Sequence, residues 1–280
     1  MSKHPTTGKT VKYIVLGLFA LPWVVIPMWM LLVNSFKPLN EATQLKLTLP
    51  EKWAFLENYA YVIEKGNYAT GLTNSLVIVV PTMAAVVLLG ALTAWAFARS
   101  KSMTMKVAYN VTVLSILLPP ALLPTIFLLE NIGLGGTTAG YILVTIATRL
   151  GIMVFLATGF LRAFPQDLEE AAQIDGASRL GTFWHVVLPL LSPVLFVGSI
   201  LLVIGVWNEF FFASFLLPTE GQATLPLALF RFSVASAEFA SMRWNLIFAH
   251  VVLTSIPLIL VYLIVQKKVL SGLTEGAIKG

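Results

Sequence analysis

Residues 169–190 read EEAAQIDGASRLGTFWHVVLPL. Glu169, Glu170 and Asp175 are three of only thirteen acidic residues in the chain, and long apolar runs lie on both sides of them. That contrast decides the fold class. Of the 280 residues 58% are hydrophobic and 11% charged, with a mean hydropathy of +0.86. A soluble domain carries roughly 25% charged residues, because its surface faces water. Too little polar surface is present here to cover a globule of this length, so part of the solvent is lipid. There is no cysteine, which excludes disulfides and thiolate metal or redox sites.

A membrane-spanning helix needs about 20 mostly apolar residues. Six runs qualify, near 12–34, 73–97, 107–129, 139–161, 190–214 and 244–266. The first has no small-residue cleavage site leading into a soluble domain, so it reads as a retained span. The expected fold is an all-α membrane protein of six transmembrane helices: a tail over 1–11, a transmembrane domain over 12–266 and a tail over 267–280. The polar stretch lies in a loop, 162–189, between the fourth and fifth spans. Basic residues set the orientation. Lys3, Lys9, Lys12, Arg99, Lys101, Lys106, Arg162, Arg179, Lys267, Lys268 and Lys279 fall on one side of the predicted spans. Lys37, Lys46, Lys52, Lys65, Arg231 and Arg243 fall on the other, and Arg149 is left inside a span. The richer side is cytoplasmic. Both termini and the 162–189 loop are therefore expected in the cytoplasm of a multi-pass membrane protein. Basic residues scattered over four segments do not make a nucleic-acid face. Prolines interrupt several spans (Pro22, Pro27, Pro81, Pro119, Pro120, Pro124, Pro193, Pro257) and suit kinked helices packed on neighbours.

No catalytic constellation appears: neither HExxH nor GxSxG is present. Gly8-Lys9-Thr10 lacks the earlier glycine and the strand that a phosphate-binding loop needs. His4, His185 and His250 have no ligand spacing, so no metal residue is assigned. If this chain moves a solute uphill, the energy comes from another chain or an ion gradient.

The polar stretch itself reads as helix, turn, helix. Pro165 suits a first helical turn. Asp167, Glu169 and Glu170 then lie where the helix dipole favours negative charge. Leu168, Ala171, Ala172 and Ile174 form a stripe rich in small side chains. Gly176 stops the helix, Ser178 caps the next, and Pro189 marks the return to the membrane. The plainer reading is an amphipathic connector on lipid headgroups, but such helices carry Lys and Arg. Carboxylates fit a protein partner better.

The spacing carries a resemblance. Glu170-Ala171-Ala172, three residues, Gly176, nine residues, Val186, one residue, then Leu188-Pro189 resembles the cytoplasmic signature of ATP-binding-cassette importer permeases, with Val186 in place of the usual isoleucine. Asp175-Gly176-Ala177-Ser178 is similar too. The C-terminal GLTEGAIKG at 272–280, Asn74-Ser75-Leu76 and Trp207-Asn208-Glu209 resemble the carbohydrate, maltose-permease-like branch, in which position 209 is often aspartate. The resemblance implies a non-catalytic permease subunit paired with a second homologous permease. It implies an extracytoplasmic sugar-binding protein and a cytoplasmic ATPase dimer that holds the ATP and Mg. This chain itself would carry no cofactor. It further implies that a coupling helix near 166–175 docks on the ATPase, with Glu170 in a charge-assisted contact, Ala171 and Ala172 allowing close approach, and Asp175, Gly176, Leu188 and Pro189 completing the unit. The C-terminal tail can reach the ATPase in such relatives.

Candidate pathway residues follow from polarity inside spans. Arg149, about ten residues into the fourth span, costs at least ~2.5–3.5 kcal/mol if it faces lipid. Glu209 is placed in the outer half of the fifth span at similar depth, so the two are expected to pair or to line the pathway. Asn74, Trp207 and Asn208 are candidate sugar contacts through hydrogen bonding and stacking, with helix packing the plainer alternative. Other readings are import of a polyol or glycerophosphodiester, an ion-gradient-driven transporter, or a membrane-anchored structural protein. A gradient-driven transporter calls for an inverted repeat and several buried carboxylates, which are not evident.

Overall fold

The computed structural model describes residues 12–13, 15–19, 21–118, 120–237 and 242–277, with side chains described except at 236–237 and 267–277. Lys3, Lys9, the Gly8-Lys9-Thr10 run, Pro119 and residues 278–280 lie outside the described residues. Among the described residues every regular element is helical. Lipid offers no partner to a backbone N–H or C=O, so a chain this apolar satisfies those groups within helices. Five helices are long and apolar enough to cross a membrane: α1 (Val15–Ser35), α4 (Tyr68–Arg99), α7 (Thr138–Arg162), α9 (Arg179–Trp207) and the Trp244–Gln266 part of α12 (Trp244–Ala277). Between them lie α2 (Leu39–Ala42), α3 (Phe55–Lys65), α5 (Met103–Leu117), α6 (Leu122–Asn131), α8 (Asp167–Ile174), α10 (Phe211–Leu216) and α11 (Leu225–Ala237).

The structure corrects three of the expected boundaries. The expected third span, 107–129, is a broken pair, α5 and α6, bent by 116°. Leu118, which precedes a proline, leaves the helix with φ −93° and ψ 120°, as steric contact with the proline ring requires. The expected fifth span, 190–214, instead runs from Arg179 to Trp207. Ser178 starts it by accepting Gly181 N–H (3.1 Å). Asn208 ends it, its side-chain amide donating to Ile204 C=O (2.9 Å), and Glu209 begins the separate α10 by accepting Phe212 N–H (2.9 Å). The expected tail at 267–280 begins as a continuation of helix α12, to Ala277.

Two π-helical turns, Leu21–Val25 and Phe183–Val187, each end two residues before a proline, Pro27 and Pro189. Proline lacks the N–H for the i−4 carbonyl and its ring clashes there; a widened turn relieves that clash. Leu188 N–H accordingly reaches back to Phe183 C=O.

The chain divides into two compact units. The first takes in residues 1–69 and 228–260. Its apolar centre is Val62, Leu246, Ala249 and Leu253, with Tyr59, Tyr68 and Phe232 packed against it. Buried Asn58 donates to Ser35 C=O and Lys37 C=O (both 2.9 Å) and accepts from Asn245 Nδ2 (2.7 Å), pinning α3 and α12 to the end of α1. Lys37 is also buried; its ammonium donates to Lys46 C=O (2.8 Å) and Asn34 Oδ1 (3.2 Å). Desolvation pushes its pKa below the ordinary lysine value, against the pull of Glu41.

The second unit takes in residues 70–227 and 261–280, with α7 packed against both α5 and α9. Missing side chains make that packing possible. A Cβ at Gly90 of α4 would lie 2.6 Å from Met153 Cγ, and one at Gly198 of α9 would lie 2.9 Å from Met153 Sδ. Met153 of α7 is thus gripped on two sides and almost wholly buried. Small residues at such crossings let helix backbones approach where lipid supplies no hydrophobic drive. Asn74 Nδ2 donates to Gly221 C=O (2.8 Å) and Ala223 C=O (3.0 Å), and Ser75 Oγ accepts Leu225 N–H (2.9 Å), so the start of α4 fastens the 217–224 loop.

Gly90→Ala is therefore expected to overpack this crossing and cost about 1–3 kcal/mol, read as a lower unfolding midpoint in detergent. Combined with Met153→Ala, which removes the clashing atoms, the two penalties are expected to be sub-additive.

Candidate functional site

The polar stretch forms a structured elbow. Pro165 stands just outside α8 rather than in its first turn: Gln166 is the N-cap, its carbonyl accepting Glu169 N–H (2.8 Å) and Glu170 N–H (3.0 Å). Asp167, Glu169 and Glu170 occupy the first turn, where the helix dipole stabilises them. The helix stops at Asp175. Gly176 sits at φ +87°, its N–H bonded to Gln173 C=O (3.1 Å), while Ala177 N–H returns to Ala172 C=O (2.9 Å). That paired closure requires a left-handed residue, which glycine adopts without a Cβ penalty. Ser178 then opens α9. Leu188 and Pro189 lie inside that helix, about three turns after it begins, and so do not mark its start.

The three carboxylates of the first turn divide by direction. Glu169 turns inward and is 5% exposed. Its Oε1 accepts Arg99 Nε–H at 2.8 Å and lies 2.7 Å from Arg99 Nη2 in an ion pair, and its Oε2 accepts Trp95 Nε1–H at 2.7 Å. Arg99 also donates to Phe164 C=O (3.3 Å). Each oxygen of this carboxylate thus accepts one hydrogen bond, a charge-assisted one at Oε1 and an indole one at Oε2. Asp167 and Glu170 point outward and are exposed, as is Asp175. Leu168, Ile174 and Leu180 accompany them on the outside, Ile174 at 86% exposure. A cleft of about 580 Å³ opens beside the tether, lined among others by Trp95, Arg99, Glu170, Gln173 and Arg179.

Sequence reasoning placed Glu169 in the first turn but assigned no role to it, and missed its partners. The available signal was the four-residue spacing of Trp95 and Arg99, which puts both on one face at the end of α4.

The pathway candidates do not converge on one site. Arg149 of α7 and Glu209 come together: Nη2 lies 3.4 Å from Glu209 Oε2 and donates to Gly205 C=O at 3.3 Å. Glu209 is not within a span; it sits in the break after α9, where one oxygen accepts Phe212 N–H while the other faces Arg149. The guanidinium lies against Gly205, where a Cβ would come within 3.5 Å of Nη1. Trp207 is buried. Asn208 is exposed, with its amide donating to its own helix end, and Asn74 spends its amide on the 217–224 loop.

Among the described residues no group of three or more His, Asp or Glu is placed to hold a metal ion. The arrangement has no assembled nucleophile, acid or base. What it offers is an exposed short helix, stiffly tied to a long one.

Comparison with known proteins agrees with that picture. The family model described as "Binding-protein-dependent transport system inner membrane component" matches residues 86–274, which include the tether and the elbow. The diacetylchitobiose uptake system permease protein NgcG of Streptomyces coelicolor is 31% identical over 258 residues, covering 91% of this chain and 84% of that protein. The trehalose transport system permease protein SugB of Mycobacterium tuberculosis is 32% identical over 268 residues, covering 95% and 96%. In structure, a chain of a bacterial ABC transporter involved in the import of the acidic polysaccharide alginate matches with a TM-score of 0.79 at 23% identity, covering 95% of this chain and 99% of that one, a likeness of fold. With a matching family model over two thirds of its length and two relatives above 30% identity across nearly all of it, the chain belongs to the family of binding-protein-dependent transport system inner membrane components.

Proposed function

We propose that this chain is the permease subunit of an ATP-driven importer that carries a carbohydrate across the cytoplasmic membrane, and that α8 is the coupling helix through which a separate ATPase dimer moves it. The observation that carries the reading is the two-sidedness of α8. Glu169 locks its inner face to Arg99 and Trp95 of α4, while Leu168, Glu170 and Ile174 present an apolar and acidic outer face. A helix displaced at its outer face then pulls on α4, about 48 Å long at 1.5 Å per residue, rather than bending away from it. ATP and its Mg²⁺ belong on the ATPase partner. A second, homologous permease completes the pathway, and an external binding protein delivers the sugar.

Carbohydrate as cargo is supported by the family relationship together with the diacetylchitobiose, trehalose and alginate systems that the similar proteins serve. Basic residues crowd the side that carries α8 and both termini, which supports placing these in the cytoplasm. The Arg149–Glu209 pair neutralises an otherwise costly charge and closes α7 onto the end of α9; its part in the pathway is structural in this reading.

Glu170→Lys is expected to abolish co-purification of the ATPase and ATP-dependent sugar uptake while leaving the amount of folded permease unchanged. Gly176→Pro is expected to do the same, because proline supplies neither the positive φ nor the N–H that closes the elbow. Wild-type uptake and co-purification in both variants is the result that sinks the coupling role.

Arg99→Ala leaves a buried carboxylate uncompensated, at a local cost of about 3 kcal/mol. Hydrogen exchange across residues 166–177 is expected to rise sharply, with α7 and α9 still protected. ATP hydrolysis by the assembled transporter is expected to continue with little sugar moved. Unchanged exchange in 166–177 would remove the tether from the account.

A further inference from the structure

A second cleft, of about 420 Å³, lies on the same side as the elbow and shares only Ser100 with the first: it is lined by Phe97 in the last turn of α4, Ser100 just after it, Lys106, Tyr109 and Asn110 of α5, and Arg162, the last residue of α7. Arg162 Cζ lies over the Tyr109 ring, 4.5 Å from its centroid, and Tyr109 is steadied edge-on by Phe97 at 5.7 Å. That stacking fixes the guanidinium without consuming its donors. Lys106 and Asn110 stand one turn apart on α5, so both face the same cleft. No carboxylate lines it, and among the described residues neither Lys106 nor Arg162 has an ion-pair partner. By contrast, neighbouring Arg99 is committed to Glu169.

The cleft sits where two long apolar helices, α4 and α7, end. Along α5 beside it, Met103, Val107, Val111 and Leu114 are exposed and repeat at helical spacing, giving an apolar stripe one residue position around from Lys106 and Asn110. A stacked arginine, an exposed lysine, a side-chain amide and an adjacent apolar stripe match a phosphodiester headgroup continuous with acyl chains. Basic pockets between transmembrane helices are a recurrent form of such sites. We infer that this cleft binds the headgroup of an anionic phospholipid, held by Arg162 and Lys106 beside the root of the coupling elbow. The leaflet assigned, the cytoplasmic one, rests on the proposed orientation; the binding itself does not.

The test uses the full chain in bilayer nanodiscs of phosphatidylcholine, with and without one fifth phosphatidylglycerol. Retained lipid is read by native mass spectrometry and the unfolding midpoint by fluorescence. The wild-type chain is expected to retain phosphatidylglycerol preferentially and to unfold at higher temperature when it is present. Lys106→Gln, at an exposed position in the first turns of α5, is expected to reduce that preference roughly fivefold, and Lys106→Gln with Arg162→Gln about thirtyfold. Lys52→Gln, in the loop between the first two spans, is expected to change neither readout. Equal phosphatidylglycerol retention in wild type and the double variant overturns the inference. So does soluble glycerol phosphate reproducing the stabilisation in phosphatidylcholine discs, since the ligand is then a free phosphate rather than a lipid. Neither readout involves sugar or ATPase, so loss of lipid preference and failure of the transport reading are separate outcomes.

Discussion

One carboxylate organises the functional end of this molecule. Glu169 turns inward from the first turn of α8 and is received by Arg99 and Trp95 through two hydrogen bonds and an ion pair, at 2.7–2.8 Å. Burial of a charge is tolerated only with such complete pairing. Once it is made, α8 is no longer a surface connector. Its inner face belongs to α4, and its outer face is exposed. The glycine at 176 and the serine at 178 then set the angle at which the chain turns back into α9.

Around that tether, the helices solve two problems that lipid imposes. They have to approach closely without a hydrophobic drive, and Gly90 and Gly198 permit this by admitting Met153 between them. They also have to carry prolines without leaving carbonyls stranded. Pro27 and Pro189 follow π turns, while Pro120 falls at a break of 116° between two helices. The prolines thus have three structural outcomes, because Pro81, Pro193 and Pro257 lie within continuous helices.

Much of this was legible in the sequence. Hydropathy located the five long apolar helices and the bent pair, and the spacing from Glu170 to Pro189 pointed to the family that the comparisons bear out. Two kinds of information were not legible. Hydropathy reports whether a run is apolar, not whether its backbone is continuous, so 107–129 passed as one span although Leu118 leaves the helix. The same measure carried the fifth span across Asn208 and Glu209, whose side chains bond to nearby backbone and end one helix while starting another. The second kind is direction. Glu169 and Glu170 are adjacent and chemically alike, and only the position of Arg99, 70 residues away, turns one inward. Asn74 looked like a sugar contact because it is polar within an apolar run; its amide is used on two loop carbonyls instead.

The central claim is that the outer face of α8 is gripped by a separate ATPase chain. The sequence contains no cysteine, so a single Ile174→Cys substitution gives one reactive thiol at an 86% exposed position. In membranes containing the assembled transporter, a short thiol-reactive crosslinker is expected to join that thiol to the ATPase subunit, with a yield that changes on addition of ATP. A thiol at Ile174 that reacts freely with a soluble maleimide but yields no crosslinked ATPase in any nucleotide state would contradict the account.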